Sequence, residues 1–330
     1  MDLDMTACRR VMVTGGCGFI GGHLVRALLA AGNEVLNVDK LTYAADAGLI
    51  DEFAGTGRHQ FFKADIADAD AMRMAMADFR PEWVFHTAAE SHVDRSIEGP
   101  LEFLRTNLLG TGALLEAARR QRVKNFRFIH ISTDEVYGSL GEDGAFDEES
   151  GYGPRSPYSA SKAGADHLVR AWHETYGLPV IVTHCGNNYG SGQFPEKLIP
   201  LAISRGLAGE GIPVYGSGRQ VRDWVHVEDH VAALIAVAER GSIGETYCIG
   251  ARDEWRNIDL VQAICGALDE LRPDAFPAGH ASLIRHVDDR PGHDFRYAVD
   301  PGKIMRELGW GARKKLSACL PGLVRAAAGP

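Results

Sequence analysis

The stretch FRFIHISTDEVYG at 126–138 begins with alternating apolar and polar residues and ends on two adjacent carboxylates, Asp134 and Glu135. Neighbouring strand residues point to opposite faces, so both acids can serve one site only where the strand has already ended. Two readings stand: a solvated turn, or a proton donor beside a proton acceptor. Further on, SPYSASKAG at 156–164 offers Ser156 as a helix cap and Pro157 as a first helical residue. Tyr158 and Lys162 then share one helix face. Such pairs are common on exposed helices. A phenol of ordinary pKa about 10 is also a poor base near neutrality. A nearby ammonium and a cationic nicotinamide would favour the phenolate, which could take a hydroxyl proton while hydride leaves the same carbon.

That chemistry needs a dinucleotide, and the N-terminal stretch TGGCGFIGGHL has the spacing to bind one. Gly16-x-Gly18-x-x-Gly21 fits the dinucleotide fingerprint, and Gly15-x-x-Gly18-x-x-Gly21 fits its short-chain dehydrogenase variant. The glycines allow a tight turn and close approach of a pyrophosphate to backbone N–H groups at a helix start. Asp39 follows 18 residues after Gly21, where an acid grips ribose hydroxyls and repels a 2′-phosphate. NAD is therefore expected over NADP, although the neighbouring Lys40 acts against that preference. After the next strands, Asp65 and Ile66 are placed to meet the adenine, and Ala88 and Ala89 offer a small surface for close passage.

Strands are expected at 10–14, 34–38, 60–64, 83–88, 126–132 and 179–185, and helices at 19–31, 68–78, 99–121 and 157–176. Several strands are too apolar to be half-solvated, as parallel strands covered on both faces should be. The alternation predicts an α/β fold: a Rossmann-type doubly wound parallel sheet with a smaller C-terminal α/β lobe. Residues 1–187 form the expected dinucleotide domain and 188–330 the second lobe, with the helix and strand of 226–249 returning to the first. An apolar share of 45% and a charged share of 24% over 330 residues are those of a globular protein. The net charge of −9 argues against nucleic acid and anionic membranes as partners, while leaving room for a phosphorylated small molecule. The cysteines at 8, 17, 185, 248, 265 and 319 lack CxxC spacing and read as reduced thiols in a cytoplasm. MDLDMTACRR lacks the basic and apolar regions of a signal peptide, and no apolar run is long enough to span a membrane.

With these motifs in place, the chain resembles the extended short-chain dehydrogenase/reductases over roughly residues 9–310 and, among them, the dTDP-glucose 4,6-dehydratases. The resemblance rests on TGGCGFIGGHL, VDKLTYA (38–44), AAESHVDRSI (88–97), TNLLGT (106–111), STDEVYG (132–138) and YSASKAG (158–164). It continues through NNYG (187–190), PEKLIP (195–200), RDWVHVEDH (222–230) and DRPGHDFRYAVD (289–300). Related epimerases share the glycines and the Tyr/Lys pair but usually lack the Thr-Asp-Glu triplet.

The resemblance implies a cycle of C4 oxidation, loss of water across C5 and C6, and return of the hydride to C6, with NAD regenerated at each turnover. It makes Thr133 the residue that orients the sugar, Asp134 the general acid and Glu135 the general base, with Tyr158 and Lys162 at the oxidation step. Phe19, Ile20, Asp39, Lys40, Leu41, Thr42, Asp65, Ile66, Thr106, Tyr158, Lys162 and Asn188 match cofactor positions. Ser91, Thr133, Asn187, Lys197, Leu198, Tyr215, Arg222, Asn257, Arg290 and His293 match positions that hold a nucleotide sugar. Arg222 and Arg290 suit a diphosphate, and Tyr215 could stack on a base. Relatives pair through the helices matching 99–121 and 157–176, so a homodimer is expected.

Three departures accompany the resemblance: Ser191 stands where the family commonly has proline, the loop after Ala44 is short, and RAAAGP replaces an aromatic final helix. Other readings are a UDP-glucose 4,6-dehydratase, a UDP-glucuronate decarboxylase or a non-catalytic NAD-binding regulator. His226 and His230 have helical metal-ligand spacing but lack an evident third ligand, so no metal is expected. The acidic run GEDGAFDEES (141–150) reads as a solvated loop near a cleft mouth.

Overall fold

The first strand, β1 (Arg10–Thr14), is buried at every position after its first residue. Val11 and Val13 turn to one face of a sheet and Met12 to the other, and each meets its own apolar layer. This continuous burial distinguishes a parallel strand covered on both sides. The structure is a computed structural model that describes residues 8–329. Residues 1–7, most of the segment read as lacking a signal peptide, and Pro330 lie outside the described residues.

The strands β2 (Glu34–Asp39), β3 (His59–Lys63), β4 (Trp83–His86), β5 (Arg127–Thr133) and β6 (Val180–Cys185) follow with helices between them. Seven strands form one sheet in the order β10-β6-β5-β4-β1-β2-β3, in which β10 is Thr246–Ile249. Every neighbouring pair is parallel. The chain moves outward from β1 on one side and then from β4 on the other. That reversal opens a crevice beyond the strand ends, the usual ligand position in such sheets.

Helix Val227–Arg240 sends Val231, Leu234 and Val237 into the same layer as Val11, and β10 pairs with β6. The remaining strands are short. Here β9 (Val221–His226) lies between β7 (Asn187–Tyr189) and β11 (Glu254–Arg256), while β8 (Ile212–Tyr215) pairs with β12 (Ile284–Val287). A separate apolar cluster joins Ile199 and Ile203, Leu260 and Ile264, and Leu316, Leu320 and Val324 of the final helix Leu316–Ala328. That helix contains no aromatic residue and fills its place with aliphatic side chains.

One expected element differs in kind. The segment read as a continuous helix over 99–121 starts at Pro100, widens into a π-helix over Leu104–Gly110 and resumes as an α-helix over Thr111–Ala118. The wider turn brings both Thr106 and Asn107 inward, at 3% and 1% exposure. Strand β4 also stops at His86, short of 88, because the chain bends past the glycine turn at Ala88.

Candidate active site

At the tip of β1, Gly15 adopts φ +74°, and a Cβ there would stand 2.8 Å from the Ala88 backbone. A Cβ on Gly21 would strike the Gly15 carbonyl, whereas one on Gly18 would meet only that carbonyl, at 3.3 Å. Gly15 and Gly21 therefore pack the turn, while Gly18 leaves its cleft side open. Helix Phe19–Ala30 begins there with no side-chain cap and no acid in its first turn. Its free N–H groups form a cradle for an anion.

Asp39 closes β2 and accepts N–H groups from Cys17 at 3.0 Å and Leu41 at 2.8 Å. Each carboxylate oxygen keeps a further lone pair for a ribose hydroxyl. Lys40 turns away toward Glu102 and Thr106, each at 3.1 Å, with Glu90 and Asp65 at 3.9 Å. Three acids surround its charge, so a 2′-phosphate there would meet net negative charge. Cradle, ribose acid and neutralised lysine together fit NAD.

The cleft that starts at this turn has a volume of about 410 Å³. Its wall includes Phe19, Ile20, Thr42, Ile66, Ala88, Ala89, Thr106 and Asn188 as well as Gly15, Gly18, Gly21, Asp39 and Lys40. It continues past Thr133, Asp134, Glu135, Tyr158 and Lys162 to Ser91, Asn187, Lys197, Leu198, Arg222, Asn257, Arg290 and His293. Three expected residues stand outside the wall. Leu41 is held at φ +58° to give its N–H to Asp39. Asp65 accepts the Ala67 N–H at 2.9 Å. Tyr215 lies beneath the Arg290 guanidinium, 4.3 Å away, and donates to Asp94.

The opening acids sit in a 3₁₀ turn, Asp134–Tyr137, directly after β5. Leaving the strand lets both face the cleft. Asp134 is 1% exposed and its Oδ2 has no hydrogen-bond partner among the described residues. Burial, then the Glu135 charge, pushes its carboxyl well above the ordinary range. Glu135 is half-buried and is also pushed up by burial, while the charges of Arg222, Lys197 and Arg290 pull it back. The turn thus holds one acid that strongly resists ionisation and one surrounded by cations.

Ser156 and Ser159 form a reciprocal capping box that fixes the start of helix Pro157–Tyr176. Tyr158 occupies its first turn, where burial and the Glu135 charge hold the phenol above its usual value and the Thr133 hydroxyl pulls it back. Lys162 donates to the Ile131 carbonyl at 2.8 Å, which ties the helix to β5, and burial brings its pKa down to about 8.

At the far end, Arg290 forms a two-pronged ion pair with Asp94, at 2.6 and 2.7 Å. Arg222 directs its Nη groups at the carbonyls of Val221, Phe295 and Asp294 and lies 4.2 Å above the Tyr297 ring. Its charge faces the acid pair from there, although the sequence suggested a diphosphate clamp. Lys197 donates to the Ser91 carbonyl at 2.9 Å. The sequence reading missed Tyr43, Phe194 and Glu196, which also line the wall. Arg95 stacks 3.7 Å from the Tyr43 ring and pairs with Glu196 at 3.1 Å. VDKLTYA and PEKLIP drew notice as motifs, but no local signal pairs them.

His226 caps its helix by accepting the Glu228 N–H, and His230 meets Asn188 at 2.9 Å. No residue of 141–150 lines the cleft; Phe146 pairs beside Val299, and Glu148 accepts the Cys248 N–H.

The model of the GDP-mannose 4,6 dehydratase family matches residues 12–321. The dTDP-glucose 4,6-dehydratase of Xanthomonas campestris pv. campestris (strain B100) is 53% identical over 306 residues, covering 91% of this chain and 87% of that protein. The chain belongs to the dTDP-glucose 4,6-dehydratase family. Its Escherichia coli member is 51% identical over 321 residues, covering 91% of this chain and 88% of that protein. DesIV from Streptomyces venezuelae, a dTDP-glucose 4,6-dehydratase solved with NAD and TYD bound, superposes with a TM-score of 0.88. It is 43% identical, with 96% of each chain covered. A UDP-glucose 4-epimerase from Thermotoga maritima shares the fold at a TM-score of 0.85 and 29% identity, with 96% of this chain and 97% of that one covered.

Proposed function

We propose that this chain is an NAD-dependent hydro-lyase that converts dTDP-glucose to dTDP-4-keto-6-deoxyglucose in deoxysugar biosynthesis. The observation that carries the reading is the acid pair beyond β5, which lines one cleft with Tyr158 and the glycine turn. Family membership supports it, as do the solved relatives with bound NAD.

In this reading Gly15, Gly18 and Gly21 make the turn that receives the pyrophosphate, and Asp39 holds the adenosine ribose. Held by that turn and by Asp39, bound NAD would supply a hydride acceptor for C4 of the sugar and a hydride donor for C6. Tyr158 receives the C4 hydroxyl proton, and Lys162 and Thr133 favour the phenolate that does so. A ketone at C4 acidifies the C5 proton, which Glu135 removes. Asp134, kept protonated by burial, gives its proton to the C6 hydroxyl as that group leaves as water. Arg290 and Lys197 hold the diphosphate, and Arg222 sets the field at the acid pair. Residues 1–187 with 226–249 form the NAD-binding domain, and 188–330 otherwise the nucleotide-sugar-binding lobe, with residues of both meeting in the one cleft.

A homodimer fits the exposed apolar row Leu101 (76%), Leu104 (40%) and Leu109 (65%) on the segment between Pro100 and Ala118. All six cysteines are free, which suits a reducing cytoplasm. No helix among the described residues is long and apolar enough to cross a membrane.

Separate incubations with dTDP-, UDP- and GDP-glucose, without added reductant and read by mass, test the reading. Loss of one water from the dTDP sugar is expected. Turnover confined to another nucleotide would reassign the substrate, and no water loss from any would remove the activity.

A further inference from the structure

Behind Lys162 lies a buried polar cluster that the reaction above does not use. Asp166, one turn further along the same helix, is fully buried. Its Oδ2 accepts Ser132 at 3.0 Å and Tyr152 at 2.9 Å, and lies 3.0 Å from Nε2 of His184. Nε2 of His130 stands 3.1 Å from Oδ1. Ser132 and His130 belong to β5, which leads into Thr133, Asp134 and Glu135, and His184 belongs to β6. One carboxylate therefore joins the strand of the acid pair to the helix of Tyr158 and Lys162.

We propose that Asp166 is a positioning residue for the dehydration: it is the counter-ion that keeps Lys162 an ammonium and the tie that holds β5 against the catalytic helix. This rests on the reading of Lys162 as the ammonium beside Tyr158.

The groups packed around Lys162 favour this assignment. His86 from β4 and His130 from β5 both feel the lysine charge; burial first, and then neighbouring positive charge, drives their pKa values down, to about 4 for His130. Both rings are neutral at working pH. Burial acts against an ionised Asp166, but the neighbouring His130 and His184 rings outweigh it and hold the carboxyl well below its usual range. At the end of β5, Asp134 is pushed toward its neutral form. Asp166 is the charge that opposes the loss of the Lys162 proton caused by burial.

The test follows the Cε resonance of Lys162 in isotopically labelled protein, assigned by its loss in Lys162→Arg, beside the pH dependence of kcat. Asp166→Asn should lower the Lys162 midpoint by about one unit or more, as removal of an opposite charge one helical turn away in a buried site does, and the alkaline limb of kcat should follow. Asp166→Ser provides a second uncharged variant should the amide disturb folding. Tyr152→Phe removes one donor but keeps the carboxylate, and its midpoint should not fall. An unchanged midpoint in the folded uncharged variants overturns the proposal, as does an equal fall in Tyr152→Phe. A resonance that moves while the kcat limb stays would instead uphold Asp166 as counter-ion and refute the catalytic role given to Lys162.

Discussion

Asp134 and Glu135 are adjacent in the chain and opposite in environment: Asp134 is sealed at 1% exposure, and Glu135 is half-buried in the cleft wall among the charges of Arg222, Lys197 and Arg290. The proposed acid and the proposed base thus have separate surroundings. Glu135→Gln should still oxidise C4 and then stop, seen as accumulation of reduced nicotinamide in a single turnover. Asp134→Asn should pass that point and fail to expel water. Each should lose roughly 10²–10⁴-fold in overall rate, the usual effect of removing a general acid or base.

The same substitution should reverse sign in stability. Burial raises the folded pKa of Asp134 above its unfolded value. Its favourable contribution is therefore complete below the unfolded pKa, about 3.9, and is lost as pH rises through the folded value. Asn cannot ionise and escapes that loss. Asp134→Asn should melt about 1–3 °C higher than the parent at pH 8, with a smaller difference at pH 5. Equal melting at both pH values would count against a buried, reluctant acid.

The pH profile of kcat should be a bell whose limbs lie closer together than unperturbed groups would give. As the proposed base Glu135 must be ionised, and burial has raised it, so the acid limb should lie above the ordinary glutamate value of about 4.3. In the proposed mechanism Lys162 acts as an ammonium, and burial has brought it to about 8, so activity should fall as pH rises through that value. An alkaline limb near the free-lysine value of about 10.4 would contradict the buried position.

The fingerprint glycines should separate by experiment. Gly21→Ala drives a methyl into the Gly15 carbonyl and should destabilise the fold by about 1–3 kcal/mol, in the range of overpacking. Gly18→Ala meets that carbonyl at 3.3 Å and otherwise opens on the cleft, so it should melt near the parent and lose NAD affinity. Calorimetric titration of NAD beside thermal unfolding checks both.

Much of this architecture is written in local pattern. Backbone periodicity acts over a few residues, so RVMVT reads as a buried parallel strand and TGGCGFIGGHL as a turn entering a helix. Tyr158 and Lys162 are legible for the same reason, because helix geometry sets their separation. The acid pair could be singled out from its place at a strand end, but the division of labour proposed for it rests on burial, which belongs to the packed fold.

Tertiary structure decided everything that depends on which distant groups meet. Arg290 faces Asp94, Arg95 faces Glu196, and Lys40 faces Glu102, across 196, 101 and 62 residues of chain. No periodicity encodes such pairs; they arise because the sheet brings separate loops to one rim. The π-turn at Leu104–Gly110 likewise yields to packing, with both Thr106 and Asn107 taken inward. The sequence by itself determined the sheet, the glycine turn and the chemical types available. Only the folded chain decided how each was charged and paired, because pKa and ion pairing depend on burial and distance, and neither is a property of neighbours along the backbone.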